Sequence, residues 1–183
     1  NMGSKSLPNF VKDYARTLRI VYYAAMKKYS NARVYISLDH FWSVNLAGTG
    51  NGYQPGKAVV DELNAQVKSL GNFPWHVAYH PYPENLGQPR TWNDTTATDS
   101  FNTQRITFKN LHILPQYLNQ TDFLYNGSAR RIILSEQGFH TPNPSSVSDQ
   151  RAQAAAYAYA YYKTLFNSGI DSFILHRHVD HGG

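Results

Sequence analysis

At 183 residues the chain is long enough for one domain with a real core, and short of the roughly 250 residues that a complete closed barrel of eight βα units takes. Its 42% hydrophobic and 16% charged content excludes a disordered chain, and no stretch is long and apolar enough to span a membrane. The 17 basic and 12 acidic residues leave a net charge of +5 with no basic run, which argues against a nucleic-acid surface; the absence of cysteine excludes disulfides and thiolate metal sites.

In chain order, Leu7 to Tyr29 carries apolar residues at helical spacing (Phe10, Val11, Tyr14, Leu18, Val21, Tyr22, Ala25), with Pro8 suited to a first turn. Arg33 to Leu38 reads as a strand that runs into Asp39-His-Phe-Trp42. After a Gly/Asn-rich loop, Lys57 to Leu70 is an amphipathic helix stopped by Gly71. Trp75 to His80 is a second strand, broken by Pro81-Tyr82-Pro83. A polar loop leads to a shorter helix over Thr107 to Leu118, which Pro115 must kink or end. Ile132 to Ser135 is a third strand, followed by Glu136-Gln-Gly-Phe139. Ser148 is the expected cap of a long Ala/Tyr helix reaching Phe166, and Ile170 to Leu175 is a fourth strand. Strands that alternate with helices imply βαβ units and a parallel sheet, hence an α/β fold in a single domain over 1–183.

Each strand ends in polar or ring-bearing residues. The first supplies Asp39, His40 and Trp42; the second His80 and Tyr82, with Glu84 behind; the third Glu136, Gln137 and His140; the fourth His176, Arg177, His178, Asp180 and His181. Parallel strands place all four ends on one face, where α/β proteins keep their chemistry. A cleft of carboxylates, imidazoles, one Arg and aromatic rings suits a polyhydroxylated substrate, the rings stacking on sugar faces and the polar groups bonding hydroxyls. Taken singly, each His is more readily a satisfied structural residue; the weight rests on the four ends together. Trp42 and Trp92 fall in loops on the cleft side and are candidate sugar platforms, whereas Trp75, near a strand start, is a core residue.

The segments Tyr35-Ile-Ser-Leu-Asp-His-Phe-Trp42, Ala78-Tyr-His-Pro-Tyr-Pro-Glu-Asn-Leu86, Arg131-Ile-Ile-Leu-Ser-Glu-Gln-Gly-Phe139 and Phe173-Ile-Leu-His-Arg-His-Val-Asp-His181 resemble a bacterial family of uncharacterised proteins grouped as DUF5722 and related to TIM-barrel glycoside hydrolases of clan A. The resemblance covers essentially the whole chain. It implies a partial (β/α)8 barrel of about four βα units, strands five to eight, truncated at both ends. It also implies Glu136 as the nucleophile of a retaining glycosidase with His80 and Tyr82 as its strand-six neighbours, no cofactor, a carbohydrate as partner, and an exported (periplasmic or extracellular) protein. Asp39, His40, Trp42, His80, Tyr82, Gln137, His176, Arg177, His178 and Asp180 are the expected substrate-binding residues.

The clan's acid/base Glu follows an Asn at the end of strand four, and no Asn-Glu pair precedes the first strand here. A retaining mechanism needs two carboxyl groups about 5–5.5 Å apart, the acid with a raised pKa. Asp39, Glu84 and Asp180 are the spare carboxylates near strand ends; Asp39 adjoins His40, which favours its charged form, the wrong state for an acid. The expectation is therefore that the intact protein hydrolyses or binds a glycan and that this chain alone is inactive. Four βα units would leave two open sheet edges, which invite self-association.

Two alternatives stand beside this reading. One is a non-catalytic carbohydrate-binding barrel in which Glu136 only accepts a hydroxyl bond. The other is a metal-dependent hydrolase built on His176-x-His178-x-Asp180-His181, since neutral imidazoles and a carboxylate can hold Zn²⁺ and activate water. An ion pair between Glu136 and Arg177 is expected under any of them.

Overall fold

The computed structural model describes residues 5–44 and 53–176. Its elements alternate: helix α1 (Leu7–Met26), strand β1 (Val34–Asp39), α2 (Gly56–Ser69), β2 (Trp75–His80), α3 (Ile113–Leu118), β3 (Ile132–Leu134), α4 (Val147–Leu165) and β4 (Ile170–Phe173). The four strands form one sheet in the order β1-β2-β3-β4, all parallel. The chain is thus a mixed α/β fold, and each strand lies beside its sequence neighbour. No helix among the described residues is long and apolar enough to cross a membrane.

Register explains which side chains meet. Ile36 pairs with Val77, and Val77 with Ile132; Leu38 pairs with Tyr79, and Tyr79 with Leu134. These residues are all buried and belong to the cluster that also takes in Val11 and Leu18 of α1 and Val60, Leu63 and Val67 of α2. Because strand side chains alternate, the intervening residues share the other face: Ser37 with Ala78 and Ile133, and Asp39 with His80. That second face carries the polar strand ends.

Local chemistry corrects three sequence expectations. The helix expected over Thr107 to Leu118 begins only at Ile113. Asn110 closes the preceding turn by accepting from the Thr107 N–H at 2.9 Å, and Pro115 sits in the first turn of α3, where its missing N–H costs nothing. Helix α4 is capped by Ser146, not Ser148: the Ser146 side chain accepts from the Asp149 N–H, and Ser148 is already inside the helix. Finally, β4 ends at Phe173 rather than Leu175, with Ile174 still bonded to β3 through the Leu134 carbonyl.

At the N-terminal ends of the strands, Arg131 and Arg33 both grip Asp171, the latter at 2.6 Å. The hydrogen bond from Arg131 is the main reason the Asp171 carboxyl lies below the ordinary carboxylate range. Beside them His76 accepts the Arg131 N–H at 2.9 Å through Nδ1. Burial, reinforced by the Arg33 and Arg130 charges, pushes the His76 imidazole down to about 4.

Candidate functional site

The parallel register brings the C-terminal ends of β1, β2 and β3 side by side, and the polar residues there form one group. Glu136, the second residue after β3, has a side chain 36% exposed. Tyr82, two residues past β2, donates its hydroxyl to Glu136 Oε1 at 2.9 Å. Burial, then the bond to the Glu136 carboxylate, raises the Tyr82 phenol far above its ordinary value, so it stays a donor at any physiological pH.

Two imidazoles flank the same carboxylate. His80 Nδ1 lies 3.9 Å from Glu136 Oε2, and His176 Nδ1 lies 3.7 Å from Oε1. The other ring nitrogen of His80 is 3.1 Å from Ser135 Oγ and 3.4 Å from Ser37 Oγ. Those two hydroxyls, from the strands on either side of β2, fix the His80 ring and turn Nδ1 toward Glu136. The His176 N–H donates to the Gln137 carbonyl at 3.2 Å, which ties the end of β4 to the Glu136 loop.

Asp39 stands on the β1 side of the group, beside His80 in register. Partial burial works to raise its pKa, but the nearby His40 ring and the His40 backbone N–H, which donates to Asp39 Oδ1 at 2.6 Å, outweigh it and hold the carboxyl below the ordinary range. His40 is 4% exposed, and neither ring nitrogen has a hydrogen-bond partner among the described residues, its Nδ1 lying 3.1 Å from Asp39 without good alignment.

Two clefts meet at these residues. One, of about 490 Å³, is lined by Asp39, His40, Phe41, Tyr82, Glu136 and His140 among others. The other, of about 720 Å³, lies toward β4 and shares Tyr82, Gly138 and His140 with the first. Each is of a size that takes a small organic ligand.

A family model described as a family of unknown function (DUF5722) matches residues 1–183. The chain belongs to the DUF5722 family. No curated protein matches it, and no solved structure does.

Of the residues expected in this DUF5722 site, Asp39, His40, His80, Tyr82, Glu136 and His176 are brought together. Two are not available as expected. Trp42 is fully buried, its indole N–H donating to the Phe101 carbonyl at 3.0 Å and its ring edge against Tyr117, so it offers no face to a sugar. Gln137 is 1% exposed; its amide nitrogen donates to the Ile174 carbonyl and clamps β3 to β4, while the residue borders the cleft toward β4. Trp92 is also displaced from the cleft: it packs edge-on against Tyr159 of α4. Arg177, His178, Asp180 and His181 lie outside the described residues, and so does the expected Glu136–Arg177 pair. Among the described residues no group of three or more His, Asp or Glu side chains is placed to hold a metal ion.

The other carboxylates near the strand ends have structural partners. Glu84 accepts from the backbone N–H groups of Thr95 and Thr96 at 2.8 and 2.9 Å, pinning the loop after β2; these bonds outweigh its desolvation and keep it ionised. Burial raises Asp94, which accepts from Thr91 Oγ1 at 2.9 Å, but it lines neither cleft beside Glu136. Ser37 and Ser135 were missed in the sequence as parts of the site. The signal was there: both fall two residues from an inward strand position, on the alternation that carries Asp39 and His80.

Proposed function

We propose that this protein acts on or binds an oligo- or polysaccharide, with Glu136 as the nucleophilic carboxylate of a retaining glycoside hydrolase in the intact protein. The observation that carries the reading is the environment of Glu136. A single ionisable carboxylate stands at the C-terminal end of a parallel strand, oriented by a neutral Tyr82 hydroxyl and flanked by His80 and His176. A nucleophile needs to be held in one rotamer while one oxygen stays free to attack, and Tyr82 engages Oε1 only. Attack on the anomeric carbon would form a glycosyl–enzyme ester, which water then cleaves with the acid/base residue acting as base.

The barrel architecture is part of the same proposal. Strands that follow one another in sheet order, with no reversal, suit a closing barrel rather than a doubly wound sheet. The Arg33–Asp171 contact joins the first strand's entry to the fourth strand, a span of about 14 Å in a flat sheet, which suits a sheet curled toward the polar face.

Of the spare carboxyl groups, Asp39 lines the cleft and is held ionised by His40, the wrong state for leaving-group protonation. In this reading the acid/base residue lies outside the described residues of the cleft. The ionised state of Asp39 favours a second reading, a carbohydrate-binding barrel in which Glu136 accepts a substrate hydroxyl. Both are separated by assaying the intact protein and its Glu136→Gln variant on a panel of aryl glycosides. Turnover that disappears in the variant supports the hydrolase. Glycan binding without turnover in either supports the binding module, and equal turnover in both rejects Glu136 as nucleophile.

A further inference from the structure

A groove of about 680 Å³ lies at the opposite end of the sheet from Glu136, between α3 and α4 beside the entries to β3 and β4. Nothing in the proposed reaction uses it. Its walls combine three kinds of group. Tyr162 and Phe166, one turn apart on α4, present nearly parallel rings (11°, centroids 6.2 Å apart) that are 57% and 83% exposed. Gln116, Asn119 and Asn167 contribute amides. Lys163, Arg130 and Arg131 contribute cations, and among the described residues no Asp or Glu lines the groove.

The charges are unequal in effect. Arg131 is neutralised by Asp171. Arg130 is not: it is 2% exposed, and its guanidinium donates to the carbonyls of Phe123 and Phe73 and to Asn72 Oδ1 at 2.7–2.9 Å, with no carboxylate among its partners. Its plane rests 4.5 Å from the Trp75 ring centre. Burial lowers its pKa only to about 10, so it remains a cation at neutral pH. Its hydrogen-bond partners lie outside the groove and Arg130 is buried, so it contributes its field there and no direct contact. Lys163 adds a second charge at the wall; its Nζ donates to the Lys109 carbonyl at 3.1 Å and has two further N–H donors.

We infer that this groove is a second binding site, for an anionic glycan whose pyranose rings lie on Tyr162 and Phe166 and whose carboxylate or sulfate groups face Lys163 within the field of the buried Arg130. Aromatic faces alone would suit many apolar ligands. The amides that match hydroxyls and the uncompensated positive charge select a polyhydroxylated anion. The site holds whether or not Glu136 is a nucleophile.

The test is a titration of the ¹⁵N-labelled protein, in the Glu136→Gln background to prevent turnover, with hexagalacturonate, a sulfated galactan hexamer and neutral cellohexaose. One or both anionic oligomers should shift the amide resonances of Gln116, Asn119, Lys163 and Phe166, and whichever does so names the anionic group. Cellohexaose should bind there at least tenfold more weakly. The double variant Lys163→Ala/Phe166→Ala, which removes only side chains at the rim of the groove, should raise the Kd at least tenfold while leaving resonances elsewhere in place. Shifts confined to the Glu136 end, equal affinity for the neutral hexamer, unchanged affinity in the double variant, or no shift with millimolar anionic ligand would each overturn the assignment.

Discussion

Acidification should destabilise this protein through one histidine, and the size of the effect follows from where His76 sits. Its Nδ1 accepts the Arg131 N–H at 2.9 Å, and its ring is 8% exposed between Arg33, Arg130 and Arg131. A proton on Nδ1 would break that bond and bury a positive charge beside three guanidinium groups, which the single Asp171 carboxylate only partly offsets. The folded-state value is about 4 against 6.5 for the free side chain. Between those two values the unfolded chain binds a proton that the folded chain does not, so stability rises with pH across that window and is lost as pH falls through it. Integrating from pH 7 to pH 4 gives a loss of about 3 kcal/mol, a large share of the 5–15 kcal/mol of a typical domain. Urea unfolding followed by fluorescence at pH 7, 6, 5 and 4 measures it directly. The variant His76→Gln keeps a side-chain acceptor and cannot titrate. It should start less stable at pH 7 and lose much less than the parent between pH 6.5 and pH 4. A flat stability profile in the parent over that range, or an identical slope in the variant, would refute the reasoning. Asp171 and Asp39 lie below the ordinary carboxylate range, so their losses fall at still lower pH and do not obscure the window.

Tyr82→Phe removes the hydrogen bond that orients Glu136, so kcat/KM of the intact protein should fall at least about tenfold; a drop below threefold would mean Tyr82 does not orient Glu136. Gly169→Ala places a Cβ 2.5 Å from Pro115 Cβ, and a proline ring in a helix cannot swing aside, so denaturant unfolding should show a loss of about 1–3 kcal/mol. Ser146→Ala should cost about 1 kcal/mol in the same assay, while Ser148→Ala should stay within about 0.5 kcal/mol, because only Ser146 caps α4.

The polar group around Glu136 was legible in residues that share a strand end. Asp39, His80, Tyr82 and Glu136 could be grouped without coordinates, because parallel strands of similar length place their C-terminal ends together. What failed was the assignment of individual side chains to the open cleft. Trp42 lies three residues past Asp39 and reads as an exposed loop aromatic, yet the loop after β2 folds back over it. That return is made by the Phe41–Arg105 bridge and by the Trp42 and Ser43 N–H groups donating to the Gln104 carbonyl, contacts across some sixty residues that no local pattern announces.

What the sequence determined by itself is the set of elements and the face their ends share. Hydrophobic alternation, helical spacing and the glycines and prolines between them are local properties, and they suffice for four βα-type repeats and a parallel sheet. Tertiary structure alone decided which polar groups face one another. The hydroxyls of Ser37 and Ser135 meet His80, Tyr82 reaches Glu136, and Arg130 is buried among carbonyls with no anion. The reason is physical: hydrogen bonds and charge interactions act over a few ångströms in space, between residues some fifty apart in the chain, and their partners are chosen by strand register and packing rather than by any periodicity of the sequence.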